Sequence, residues 1–289
     1  MANTIEYQAT MATALDKVLA AKSKTARMEN NATGVIYKGG NEFKMGKISF
    51  GTNEVSDYDR AKGYPAESVN LALETFKFKK DLGKKFTIDS MDVDESNYLM
   101  TMTTVMSEYV RTVEVPAIDK FRFSEIVKLA KQSDKGVKFG AHVETYKVAT
   151  NGALAQLRKS MSEVMTGTGL ENEDLDIYMS RSYYNALIGD KDVQKVVNIA
   201  GSPLNLNSTT KSVDGTSVTV VDDDIIGCLY IVISTKAPIA IVKHRVSNVF
   251  TPEQNPDADA YVGNERCYHT LEIADNQFKG VAVCEAAAA

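Results

Sequence analysis

The sequence predicts an α+β chain with three parts: a projecting β-ribbon, one long helix and a mixed body. Three observations carry this. Residues 33–90 alternate apolar and polar side chains with period two. Residues 98–113 repeat apolar side chains at steps of three and four. Beyond residue 141, helical and strand patterns interleave without a repeated βαβ period.

Composition sets the bounds. The 289 residues suffice for one large domain or two modest ones. Hydrophobic residues at 44% and charged residues at 25% are ordinary for a globular core, so global disorder is excluded. A net charge of -5 gives no long-range steering toward nucleic acid. Cys228, Cys267 and Cys284 are far apart and form no CxxC, so they read as small buried hydrophobes in a reducing compartment. The N-terminus has no basic region before an apolar core, so it reads as no signal peptide. No apolar run is long enough to span a membrane.

The first element is an N-terminal arm, residues 1–33. Ile5, Ala9, Ala12, Leu15 and Leu19 recur at helical spacing, with Glu6, Asp16 and Lys17 between them. A short Ala-rich helix is marginal alone and needs a partner surface. The polar stretch KSKTARMENN that follows reads as a linker.

The ribbon comes next. Phe43, Met45, Ile48 and Phe50 mark one strand; Val69, Leu71, Leu73, Phe76 and Phe78 mark the second, which runs on to residue 90. A turn-rich loop, TNEVSDYDRAKGYPAES, joins them. Ten strand residues reach about 33 Å. A compact chain of this size has a radius of gyration of only about 19 Å. The ribbon is therefore expected to project, and an isolated ribbon is marginal in water. Lys77, Lys79, Lys80, Lys84 and Lys85 cluster along its second strand. Alternation puts Lys77 and Lys79 on the wet face, either protecting an edge or meeting an acidic neighbour.

The long helix follows. Tyr98, Met102, Val105, Tyr109 and Val113 make its stripe, and Asp92, Asp94, Glu95 and Ser96 stand where a helix start favours caps and negative charge. Pro116 is expected to end or bend it. A second helical piece carries Phe123, Ile126, Val127 and Ala130 on one face. In the body, Tyr146, Ala149, Ala153, Leu157, Met161 and Val164 predict a helix ending at Gly167 and Gly169. LDIYMS, VTVVDDD, CLYIVIS and IAIVKHRV read as strands, Ser180 as a helix cap, and the last 20 or so residues as a hairpin turning at Asp275–Asn276.

Motifs for chemistry are sparse. Asp89, Asp92, Asp94 and Glu95 could hold a divalent cation, but an EF-hand's glycine and closing glutamate are missing, so helix capping is the simpler reading. Asp222, Asp223 and Asp224 read as a solvated turn. His142, His244 and His269 share no metal-binding spacing; His269 and Cys267 would share a strand face, which core packing explains. GxSxG, GxGxxG and GxxxxGK[ST] are absent. No catalytic residue, metal or cofactor is expected, and the chain does not read as an enzyme.

The order of pieces, and two runs within it, resemble the major capsid protein of tailed bacteriophages, with the Hong Kong 97-type capsid fold. The first run is Phe86 to Glu95, FTIDSMDVDE; the second carries Arg111, Pro116, Ile118, Asp119 and Arg122. The resemblance implies an N-arm (1–33), an extended loop (34–90), a peripheral domain with a long spine helix (91–140 and 241–289) and an axial domain (141–240). It implies pentamers and hexamers closing an icosahedral shell around double-stranded DNA, in a virion assembled in host cytoplasm. The partners it implies are the chain itself, a scaffolding protein, a portal, decoration proteins and DNA bound without sequence specificity, with no membrane. Candidate subunit contacts are Ile5, Leu15 and Leu19 in the arm, Tyr58, Arg60, Lys62 and Tyr64 in the loop, and Lys77 and Lys79 on the second strand. An encapsulin-type compartment is the main alternative, and a metal-dependent enzyme built on the cluster near Asp92 a lesser one.

Overall fold

The computed structural model describes residues 23–32, 36–37, 40–50, 57–58, 60, 68–95, 101–133, 140–148, 152–191, 193, 204–206 and 211–287. It divides into two compact units: residues 33–78, and the remainder of the chain.

The smaller unit is the ribbon. Strands β2 (Glu42–Phe50) and β3 (Val69–Lys77) pair antiparallel over their full length, from Glu42 opposite Lys77 to Phe50 opposite Val69. A two-residue strand, β1 (Ile36–Tyr37), flanks β2 and makes the sheet three-stranded. Phe43 packs on Phe76 and Phe78, each ring centroid 5.3 Å away, and the Phe78 amide donates to the Asn41 carbonyl at 2.9 Å. The aromatics gathered at this end pin the register.

The ribbon is shorter than the alternation suggested. Strand β4 (Lys80–Asp89) leaves it at Phe78–Lys79 and pairs with β12 (Ala260–Ile273), which also pairs with β11 (Pro238–Phe250). Alternation alone cannot tell one long strand from two strands in different sheets, because both have period two.

In the larger unit a seven-stranded mixed sheet has the order β5-β13-β10-β6-β9-β8-β7. Its strands are β5 (His142–Tyr146), β6 (Leu175–Ser180), β7 (Leu204–Asn205), β8 (Lys211–Val213), β9 (Thr216–Val221), β10 (Tyr230–Ser234) and β13 (Val281–Ala286). Alternation along β10 shows both faces covered. Tyr230 and Val232 join Leu154, Leu157, Met161 and Val164 on one side; Ile231 and Ile233 join Phe123, Ile126 and Met28 on the other. The β13 residues Val281–Cys284 are buried throughout, as a strand covered on both faces must be. This strand does not form a terminal hairpin with β12, and it lies beside strands assigned from sequence to the axial part. A 3-10 turn, Asp275–Gly280, carries the chain from one sheet to the other.

The long helical run reads differently from expectation. Ser90–Glu95 forms its own short helix, α1, whose Met91 amide donates to Asp89. Helix α2 (Met102–Tyr109) is capped by Thr101, whose hydroxyl accepts from the Thr104 amide, so the acidic cluster is not its cap. A π-helical turn, Val110–Glu114, joins α2 to α3 (Val115–Ser133). Pro116 therefore does not end the helix: the wider turn just before it accommodates a residue without an N–H. Gly263 on β12 lets α2 approach closely, since a Cβ there would lie 2.7 Å from the sulfurs of Met102 and Met106.

Helix α4 (Ala153–Thr168) starts after Gly152 and ends at Gly169, whose φ of 70° suits a left-handed cap. Tyr146, read as part of this helix, lies in β5. Strand β6 and helix α5 (Arg181–Gly189), capped by Ser180, fall where the sequence put them. A last short helix, α6 (Asp223–Ile226), follows β9. Among the described residues, no helix is long and apolar enough to cross a membrane.

Candidate subunit interface

The segment read as a polar linker is clamped. Residues Ala26–Asn31 form a 3-10 helix whose Met28 enters the core. Asp119 on α3 accepts from the Ser23 hydroxyl at 2.7 Å, the Lys24 amide at 2.8 Å, the Thr25 amide at 3.3 Å and the Thr25 hydroxyl at 2.6 Å. Arg122, one turn on and almost fully buried, donates to the Thr25 hydroxyl at 2.9 Å and pairs with Glu29. The Thr25 hydroxyl thus relays between the carboxylate and the guanidinium. Asn31 donates to the carbonyls of Thr235 and Pro238, and Arg27 pairs with Asp176 at 2.6 Å. Charged partners make these the stronger class of hydrogen bond. The chain therefore leaves Ser23 from a fixed point on α3.

A second polar knot holds β4. Lys79 reaches Glu272 at 2.7 Å and Glu125 at 3.0 Å, and Lys128 also reaches Glu125 at 3.0 Å. Burial works against the Lys79 charge, but hydrogen bonds to Glu272 and Glu125 outweigh it and raise its pKa. Burial pushes the Glu272 carboxyl up despite Lys79, whereas the two lysines overcome burial at Glu125 and lower it. Lys79 was a candidate for meeting an acidic neighbour; the acids it meets belong to its own chain.

Beneath α3 lies a buried imidazole. His269 is fully buried, with its ring edge-on to Phe121 at 5.1 Å and, among the described residues, no hydrogen-bond partner on either nitrogen. Burial, then the charges of Arg122, Lys80 and Arg245, hold its pKa down at about 3. Cys267, two residues away, is buried too, which pushes its thiol up to about 12. Among the described residues, no group of three or more His, Cys, Asp or Glu side chains is placed to hold a metal ion.

The ribbon, by contrast, leaves apolar side chains exposed. Register puts Ile48, Val69, Leu71 and Leu73 on one face, with Leu71 opposite Ile48. Leu71 is 72% exposed and Val69 62%, and Ile48 and Leu73 are about half exposed or more. Covering such side chains contributes roughly 1–2 kcal/mol each. Their apolar faces form a continuous patch, a mark of an interaction site.

No family model and no curated protein matches the chain. Solved structures do. The capsid of cyanophage P-SCSP1u superposes with a TM-score of 0.67 at 13% identity, covering 88% of this chain and 86% of that one. The mature capsid of bacteriophage PhiM1 gives 0.62 at 13% identity, covering 87% and 83%. A virus-like particle from Pyrococcus furiosus gives 0.57 at 13% identity, covering 97% and 100%. The fold is the Hong Kong 97-type capsid fold.

Within this capsid fold the candidate contact residues divide. Ile5, Leu15, Leu19, Lys62 and Tyr64 lie outside the described residues. Tyr58 and Arg60 are exposed. Lys77 pairs with Glu42 across the ribbon at 3.4 Å. Sequence reasoning expected the ribbon to dock on another subunit but did not name Ile48, Val69, Leu71 and Leu73 as its contact residues. The signal was there: Val69, Leu71 and Leu73 have the same parity in a strand flanked by polar residues. Asp119 and Arg122 were noted as a pattern without a role; their spacing of three puts both on one side of a helix, facing the clamped segment.

Proposed function

We propose that the chain is a structural shell subunit whose copies assemble into pentamers and hexamers of a closed icosahedral capsid around viral double-stranded DNA. The observation that carries this is the exposed apolar ribbon face formed by Ile48, Val69, Leu71 and Leu73 in a chain with a capsid fold. A subunit that closes a shell needs contacts its own core does not satisfy, and identical copies supply them through closed heterologous interfaces. The burial of Cys228, Cys267 and Cys284 suits structural thiols rather than nucleophiles. A scaffolding protein, a portal and decoration proteins would be its further partners, and the virion its final location.

The virus-like particle from Pyrococcus furiosus, aligned along its whole length, favours one second reading: a protein compartment that encloses cargo other than a genome. Negative-stain microscopy of the purified or co-expressed chain tests the shell. Rings, capsomers or closed particles are expected, and a strict monomer under every assembly condition contradicts it. Particles that protect DNA from nuclease support the virus; particles that enclose protein instead support the compartment.

A further inference from the structure

Strand β4 is an outer strand: among the described residues it pairs with β12 on one side and with no strand on the other. Its charges are sorted by sign along its length. Lys80, Lys84 and Lys85 lie in its first part; Asp89 ends it, and Asp92 and Asp94 follow in α1. All are exposed, and among the described residues none of them forms an ion pair. Asp81, the acid within the basic end, is already answered by Arg266 at 2.7 Å. Lysines on an edge ordinarily keep a second strand away. That holds for a copy laid parallel, which sets lysine on lysine. An antiparallel copy differs, because each basic end then meets an acidic end. Self-complementarity of this kind is what a two-fold contact requires. Setting Thr87 opposite its own copy puts Lys85 opposite Asp89 and brings Lys84 toward α1, where Asp92 and Asp94 stand. A polyanion fits this edge less well, since the acidic end repels it.

We propose that two copies of the chain join edge to edge through antiparallel β4 strands across a two-fold axis, with Lys84 and Lys85 of each facing Asp89, Asp92 and Asp94 of the other. The paired length is short, so the contact belongs to the weak class and free subunits stay monomeric in dilute solution. The inference does not rest on the shell reading: a shell with free β4 edges, or a pair without a shell, would separate the two.

Cysteine trapping on the full chain tests it, because the natural cysteines are buried. Thr87→Cys stands on the proposed axis, and Glu173→Cys, exposed on another element, is the reference. Cross-strand Cβ atoms lie about 5 Å apart, so Thr87→Cys is expected to give disulfide-linked dimer about tenfold faster than the reference. Adding Lys84→Glu with Lys85→Glu makes the edge acidic throughout, and adding Asp92→Lys with Asp94→Lys makes it basic throughout. Each should fall to the reference rate alone, and mixing the two should restore the fast rate as a mixed dimer recognised by its mass. Should a reversal unfold the chain, Lys84→Gln with Lys85→Gln decides by the same loss of rate. Thr87→Cys linking no faster than the reference overturns the proposal. Charge variants that link as fast as the parent overturn it too, as does a mixture of folded variants that stays slow.

Discussion

Residues 23–31 are polar yet clamped onto the body of the fold, with Thr25 and Met28 buried, whereas Val69, Leu71 and Leu73 are apolar yet exposed. The first segment is fixed by hydrogen bonds to two side chains about a hundred residues away, Asp119 and Arg122. The second holds its shape through ribbon pairing and the Phe43 cluster, and leaves one face bare. Polarity in a sequence therefore does not mean a solvated linker, and an apolar stripe does not mean the subunit's own core. What matters is whether partners lie within the same chain.

The largest effect should come from the clamp. Asp119→Ala removes the shared acceptor of two amides and two hydroxyls and leaves Arg122 buried without the carboxylate behind Thr25. A loss of roughly 3–5 kcal/mol is expected in urea unfolding, with protection lost over residues 23–31. An unchanged midpoint would mean the segment is held by something else.

Acid should act on the same region. With a native pKa of about 3 against an ordinary 6.5, His269 binds fewer protons folded than unfolded once the pH drops below 6.5. Its contribution is full above pH 6.5 and is lost as pH falls toward 3, on the order of 4 kcal/mol over that window. His269→Leu should flatten the pH dependence of the unfolding midpoint across this range; an unaltered slope would assign the acid sensitivity to other groups. The Lys79 knot comes next. Lys79→Met leaves Glu272 and Glu125 buried with less compensation, for a loss of about 1–2 kcal/mol in the same assay. The ribbon face should matter least to stability: Leu71→Asp is expected to stay within about 0.5 kcal/mol of the parent while abolishing assembly.

Much of this was legible beforehand. The ribbon pairing, helix α4, β6, the Ser180 cap and the buried apolar strands followed from local sequence patterns; of the stripe from Tyr98 to Val113, Tyr98 lies outside the described residues and Val113 is exposed. Pro116 sits inside a helix for a local reason, the π turn just before it. The other errors share one cause. Where Lys80–Asp89 pairs and which sheet Val281–Ala286 joins are non-local facts, decided by β12 and by β10. The clamp was hidden for the same reason: Ser23 and Asp119 mean little until the fold brings them together. The exposed face was written in the parity of Val69, Leu71 and Leu73 and lacked only the register with Ile48.

The most direct test is sedimentation velocity of the parent chain beside a Leu71→Asp, Leu73→Asp variant under one set of assembly conditions. The parent should move as capsomers or shells, and the variant as a folded monomer with an unchanged unfolding midpoint. A variant that assembles as well as the parent would contradict the claim that the bare ribbon face joins one subunit to the next.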